Sequence, residues 1–413
     1  MNHPDEITPH LFRTEYSKIV AVLCRSFDIR HIEIAEDIAS ETFLKASEYW
    51  AVQGLPENPA AWLYTVAKNK AKDYFKHLAV VEKNVKEELK TLETEIQQTI
   101  DFDTQNISDS QLEMIFVTCN PANSKETQIC LALQILCGFS IEEIADAFLA
   151  KTETIKKRLQ RGREALRTHH FKIEALNEQD ILLRLETVLS TLYLLFNEGY
   201  FSRSHNLLVR KDLCLEAIRL TLVLTDHRFT NTPKTNALLA LMCFQSSRLD
   251  ARTNDNGETI LFDEQDEKLW DQALIEKGNY YLVEACETDS SSITKYHLEA
   301  AIAYWHTSTG HTDKWQQILN LYNQLIIIEY SPVTALNRAF AFSKVYGKEK
   351  AITEAESLQI PDSEYYHGLL GYLYSETDSD KAIHHYEEAI RITRSKAEKQ
   401  TLQRQINLLK QSK

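Results

Sequence analysis

The chain has 413 residues, more than one hydrophobic core usually holds, so two or three domains are expected. Apolar residues make up 43% and charged residues 26%, an ordinary globular composition, while a formal charge of −14 opposes unaided binding to a nucleic-acid duplex. Ten glycines and eight prolines leave little material for tight β-turns, which excludes most sheet architectures and predicts an all-α protein.

Residues 8–78 read as a small helical domain. In "IEIAEDIASETFLKASEYW", Ala35, Ile38, Ala39, Thr42, Phe43 and Ala46 recur at helical spacing, and Asp37, Ser40, Glu41 and Glu48 occupy the other face. The break "QGLPENP" follows. Asn58 is a good N-cap and Pro59 suits the first helical position, so a second helix is expected from there. It should bury Leu63, Val66, Ala67 and Tyr74 and show Lys68, Asn69, Lys72 and Lys76 to solvent.

Residues 79–108 are acidic, with Glu87, Glu88, Glu93, Glu95, Asp101 and Asp103, and Asp109 just beyond. They read as a linker whose second half, "TIDFDTQNISDS", is extended.

Residues 109–175 return to helical patterning. In "FSIEEIADAF", Ser140 and Glu143 form a capping-box pattern, and Ile141, Ile144, Ala145 and Phe148 make one apolar stripe. After "LAKT" comes "TETIKKRLQRGREALR", where Ile155, Leu159, Gly162 and Leu166 form the inward stripe. Lys156, Lys157, Arg158, Arg161, Arg163 and Arg167 lie outside it, against only two acids. Two amphipathic helices on so short a turn read as helix-turn-helix, with the second free to enter a major groove. The turn lacks the usual glycine and has Leu149 in its place. A merely solvated basic face has the same composition, but six bases on the second helix of such a hairpin favour nucleic acid.

Residues 181–413 are helical again. "KEKAITEAESL" aligns with "SDKAIHHYEEAI", bringing Lys350-Ala351-Ile352 onto Lys381-Ala382-Ile383, a period that predicts stacked helical hairpins. Tyr280, Tyr281, Tyr304, Trp305, Tyr322, Tyr365 and Tyr366 are expected to pack those hairpins. Gly199, in "LYLLFNEGY", is expected to end a helix as its C-cap.

Three of these stretches together resemble the extracytoplasmic-function (ECF) type of bacterial sigma factor. "AEDIASETFLKA" resembles its region 2 helix, "AWLYTVAKNKAKDYFK" its promoter-melting helix, and "FSIEEIADAF…TETIKKRLQRGREALR" its region 4. "LYLLFNEGY", "LVRKDLCLEAIRL" and "SPVTALNRAFA" resemble a subgroup with a long tetratricopeptide-like extension. The resemblance implies that Asp37 and Glu41 bind core RNA polymerase. It implies that Trp62, Lys68, Asn69, Lys72 and Lys76 hold the −10 element, and that the basic helix, with Thr154, Lys156, Lys157, Arg158, Arg161 and Arg163, reads the −35 element. It also implies that the acidic linker mimics nucleic acid in polymerase channels, and that the extension regulates activity through contact with the sigma domains across the joint "HFKIEALNEQD". A conventional helix-turn-helix regulator with a sensor domain is the rival; it leaves Ala61 to Lys76 without a role.

No catalytic constellation occurs, so no enzyme and no cofactor are expected. Seven scattered cysteines without a CxxC pair predict reduced, buried thiols and no metal. His169-His170 and His384-His385 diverge on helices and should chelate poorly. The start of the chain lacks a signal-peptide core, and the longest apolar runs are too short for a bilayer, so a cytoplasmic protein with no membrane association is expected.

Overall fold

The computed structural model describes residues 4–27, 29–81, 100–168, 178–201, 207–252, 260–286, 293–393 and 395–411. Among them every regular element is helical, as composition led one to expect. The chain forms two compact units, Met1–Asn231 and Thr232–Lys413.

The first unit begins with α1 (Pro4–Phe27), α2 (Ile32–Gln53) and α3 (Pro59–Val81), which pack pairwise. The apolar stripe of α2 is buried as its spacing predicts, and Phe43 meets Phe12 of α1 edge-on at 5.0 Å. Asn58 caps α3 by accepting the Ala61 amide at 3.1 Å, with Pro59 as the first helical residue.

The stretch expected to be extended is helical in part. Helix α4 (Thr104–Thr118) starts inside it, because Asp103 accepts the Asn106 amide at 2.8 Å and so caps the first turn. Ile100, three residues earlier, is fully buried and fixes the entry. Asp109 is engaged as well, 3.7 Å from Arg25 of α1. Residues 82–99 of the expected linker lie outside the described residues.

Helix α5 (Lys125–Leu131) runs into one wide π-turn, Ala132–Leu136, and is followed by α6 (Ile141–Ala147) and α7 (Thr152–Thr168). Next come α8 (Glu178–Tyr200) and α9 (Leu207–Thr225), which pair with each other and lie against α4; α8 also touches α5, and α9 touches α6. Sequence grouped these two helices with the C-terminal part; they belong to the first unit. Gly199 is no C-cap: it is buried inside the last turn, and the helix continues through Tyr200, whose ring stacks on Phe196 at 5.6 Å. Of the joint before Ile181, residues up to 177, and His169-His170 with them, lie outside the described residues.

The second unit contains α10 (Pro233–Ser246), α11 (Gln272–Cys286), α12 (Lys295–Thr307), α13 (Lys314–Ile328), α14 (Pro332–Tyr346), α15 (Lys348–Ser357), α16 (Glu364–Tyr374), α17 (Ser379–Ile392) and α18 (Lys396–Gln411). The aligned repeat falls on α15 and α17, each preceded by the helix it packs on. Gly371 lets α17 approach α16 closely: a Cβ there would lie 2.5 Å from the Tyr386 ring. Two of the expected core aromatics are on the surface instead, Tyr280 at 59% and Tyr365 at 48% exposure, since each sits on the outer side of its helix stripe.

Six cysteines are buried, and Cys286, in the last turn of α11, is exposed. Among the described residues no group of three His, Cys, Asp or Glu is placed to hold a metal, and no helix is long and apolar enough to cross a membrane.

Candidate nucleic-acid interface

Two surfaces of the first unit carry the residues singled out in the sequence. On α2, Asp37 and Glu41 are exposed, and Leu44 and Val52 stand out beside them at 61% and 79% exposure. Glu41 accepts from Lys70 of α3 at 2.6 Å, an exposed pair worth little in water. On α3, Trp62 is half-buried, stacked on Tyr49 at 5.6 Å and tilted against Trp50 at 5.4 Å. Asn69 and Lys76 are exposed, and Lys68 and Lys72 are half-buried. Trp62 and the amide and ammonium groups of Asn69, Lys68, Lys72 and Lys76 thus share α3, with Tyr49 and Trp50 of α2 packed beside the Trp62 ring.

The second surface depends on α6 and α7. The capping box forms as the spacing predicts: Ser140 Oγ accepts the Glu143 amide at 3.1 Å, and Glu143 accepts the Ser140 amide at 2.8 Å. Leu149 adopts φ +48°, the left-handed conformation that glycine usually supplies, and this lets the chain reverse into α7. Ile155, Leu159, Gly162 and Leu166 are buried. Gly162 is a packing requirement, because a Cβ there would sit 2.6 Å from Thr127 Cγ2 and 3.0 Å from Leu131 Cδ1 of α5.

The six bases of α7 do not form one open face. Lys156, Lys157 and Arg161 are exposed, together with Thr154. Arg158 is half-buried against α5, with Nη1 3.8 Å from Cys130 Sγ. Arg163 departs from the expectation most. Its side chain is 13% exposed and donates to both carboxylate oxygens of Glu36 on α2, at 2.7 and 2.8 Å, and to Gln134 Oε1 at 2.8 Å. Arg167 pairs with Glu33. Burial alone would lower the Arg163 pKa, but hydrogen bonding and charge from Glu36 outweigh it and raise it. In this conformation Arg163 fastens α7 to α2 and presents nothing to a groove. Glu33, Glu36 and Gln134 escaped sequence reasoning; the acid at the start of an amphipathic helix was the signal, but its partner lies 127 residues away.

A third set of contacts joins α8 and α9 to this scaffold. Thr191 donates to Gln128 Oε1 at 2.6 Å, and Gln128 donates in turn to the Asn120 and Asn123 carbonyls at 2.9 Å. Arg184 donates to the Phe116 carbonyl at 3.2 Å. Arg219, paired with Glu216 at 2.7 Å, donates to the Leu136 carbonyl at the end of the π-turn, 2.6 Å away.

Comparison with known proteins bears on these surfaces. The family model for Sigma-70 region 2 matches residues 11–79, which hold all of α2 and most of α1 and α3. A family of unknown function, DUF6596, matches residues 184–286. An uncharacterized protein of Rhizobium meliloti (strain 1021), R00370, is 33% identical over 352 residues, covering 83% of this chain and 82% of that protein. The chain belongs to that protein's family. The ECF RNA polymerase sigma factor SigX of Bacillus subtilis (strain 168) is 26% identical over 156 residues, covering 35% of this chain and 73% of SigX. With the region 2 match, this supports a sigma-70 family factor. No solved structure matches it. The region 2 match thus falls on α1 to α3, while the match to the family of unknown function falls on α8 to α11.

Proposed function

We propose that this chain is an ECF-type sigma factor that binds core RNA polymerase, directs it to promoters, and is regulated by its own long C-terminal region. One observation carries the reading: a chain matching Sigma-70 region 2 over residues 11–79 also presents Lys156, Lys157 and Arg161 on the second helix of the α6–α7 pair.

In this reading Asp37 and Glu41 meet a basic surface on the polymerase, which orients the encounter. Melted −10 DNA lies along α3, where Trp62 and Asn69 face unstacked bases and Lys68, Lys72 and Lys76 neutralise phosphates. The −35 duplex receives α7 in its major groove. Thr154, Lys156, Lys157, Arg158 and Arg161 divide between base edges and phosphates. Arg163 joins them only once it leaves Glu36, so the free protein keeps one of its strongest groove-binding side chains out of reach. In this reading the sigma part comprises 8–78, 79–108 and 109–175, α8 and α9 brace it within the first unit, and the tetratricopeptide-like hairpins of the extension occupy Thr232–Lys413. The site of action is wherever core polymerase works, the cytoplasm.

The test is run-off transcription with purified core polymerase. Specific initiation that needs both core and this chain supports the reading. Tight, sequence-specific binding by the isolated chain, with no ability to replace a sigma subunit, supports the conventional regulator. Truncation after Asn231 tests regulation while retaining the Arg184, Thr191 and Arg219 contacts; promoter output is expected to fall. Equal output under every condition would remove the regulatory role.

A further inference from the structure

Within the second unit lies a cavity of about 730 Å³, inside the range that small-molecule sites occupy. One side is formed by α14 and α16, through Leu336, Phe340, Leu369 and Tyr372; the other by α18, through Leu402 and Leu409. The 3-10 turn Phe262–Glu264 makes a third wall. That turn is tied to both sides, by Asp263 to Lys344 of α14 and by Glu264 to Arg404 of α18, at 2.5 Å each. The two ion pairs clasp one end of the space, so it is a chamber more than an open peptide groove.

Two features point to an occupant. The first is Gly368 of α16, at the chamber wall, where an added Cβ would meet no atom within 4 Å. Glycine inside a helix is destabilising against alanine. Gly371, in the same helix, is explained by the Tyr386 ring that it admits; Gly368 admits no neighbour and leaves space in the chamber. The second is apolar surface left wet. Leu261, Tyr365 and Leu408, from three separate segments, line the chamber at 40%, 48% and 50% exposure. An apolar body seated there would remove that surface from water.

The charges of the walls decide the kind of ligand, because they already answer one another. Besides the two pairs of the turn, Lys348 is committed to Glu376 at 2.8 Å and to Ser375 at 3.0 Å, and Glu398 accepts from Thr393. Glu364 is engaged as well. The aromatic faces have their cations too: Lys344 lies over Phe340 at 5.2 Å, and Lys344 and Lys348 lie over Tyr372 at 5.6 and 4.2 Å. An ion of either sign would lose its water and find no uncommitted partner. Neutral groups remain. The amides of Asn337 and Gln405 line the chamber and bond to no other described residue.

We propose that the second unit holds a binding site for an uncharged, mainly apolar small molecule carrying a hydroxyl or carbonyl group. Its apolar body lies on the leucines and beside Gly368, and its polar group meets the amide of Asn337 or Gln405. The assignment is independent of the transcription reading.

The test is fluorescence titration of the full chain at neutral pH with Nile red, an uncharged dye that brightens in apolar surroundings. Three probes of equal chain length, n-decanol, n-decanoate and n-decylammonium, then compete with it, each kept below its solubility and micelle limits. Saturable one-to-one dye binding is expected, with decanol displacing the dye at concentrations at least tenfold below either ion. Gly368→Leu should abolish saturable binding by filling the chamber, and Gly368→Ala, whose methyl meets no atom, should weaken it less. Both variants should keep the unfolding temperature unchanged or higher, because glycine is the poorer helix former. Displacement by either ion as effective as by decanol, undiminished dye binding by Gly368→Leu, or no saturable binding at all would each overturn the assignment.

Discussion

The early and late turns of α7 have nearly the same composition and opposite surroundings. Lys156, Lys157 and Arg161 project into solvent, while Arg163 and Arg167 are held by Glu36 and Glu33. A run of bases in a sequence thus measures charge and says nothing of availability, which depends on partners brought in by the fold. The same helix is an exposed basic surface at one end, where Lys156 meets only its own helix's Glu153 at 3.4 Å, and a strut to α2 at the other.

The sharpest way to break this contrast is at the strut. Arg163→Ala leaves the mostly buried Glu36 carboxylate without its bidentate partner and should destabilise the first unit by about 3 kcal/mol. Urea unfolding measures it, and a double-mutant cycle with Glu36→Gln should return a coupling of about 1–3 kcal/mol. Additive effects would mean that the pair is incidental. Gly162→Ala, one residue earlier, should cost about 2 kcal/mol by forcing a methyl against Thr127 and Leu131. A negligible loss in the same measurement would mean that α5 and α7 repack easily. Ser140→Ala removes one half of the capping box before α6 and should cost about 1 kcal/mol. At the free end the expected stability change is smallest. Lys156→Ala, Lys157→Ala and Arg161→Ala together should shift unfolding by no more than about 0.5 kcal/mol. Under the proposed function, they should nevertheless reduce promoter output and flatten the salt dependence of holoenzyme binding. A large stability loss from this triple substitution would erase the distinction between the two ends.

The local features of this region were legible because their causes are local. The α2 stripe, the Asn58 cap, the Ser140 and Glu143 box and the displaced turn residue Leu149 each depend on neighbours within a few positions. Missed features depend on distance in the chain. Arg163 looked like a groove-facing residue because nothing near it in sequence reveals Glu36. In sequence Asp103 is one more acid of the linker; in the fold its carboxylate starts α4 and the buried Ile100 precedes it. Gly199 looked like a terminator, yet the burial of its surroundings keeps the helix going for another residue. In the second unit the adjacent pair His384-His385 gives no sign of the contact that forms: His385 Nδ1 lies 3.0 Å from His367 Nδ1 on the preceding helix.

The wide turn at Ala132–Leu136 bears on how such a protein can be retuned. A π-turn is one residue longer than the α-turn it replaces, and each residue added to a helix rotates the rest of the chain beyond it by roughly 100°. Deleting one residue there would swing the azimuth of everything downstream, α6 and α7 included, and withdraw the Leu136 carbonyl from Arg219. The π-turn therefore sets the azimuth at which α6 and α7 leave α5, and with it both the seat of Gly162 against Leu131 and the reach of Arg163 to Glu36.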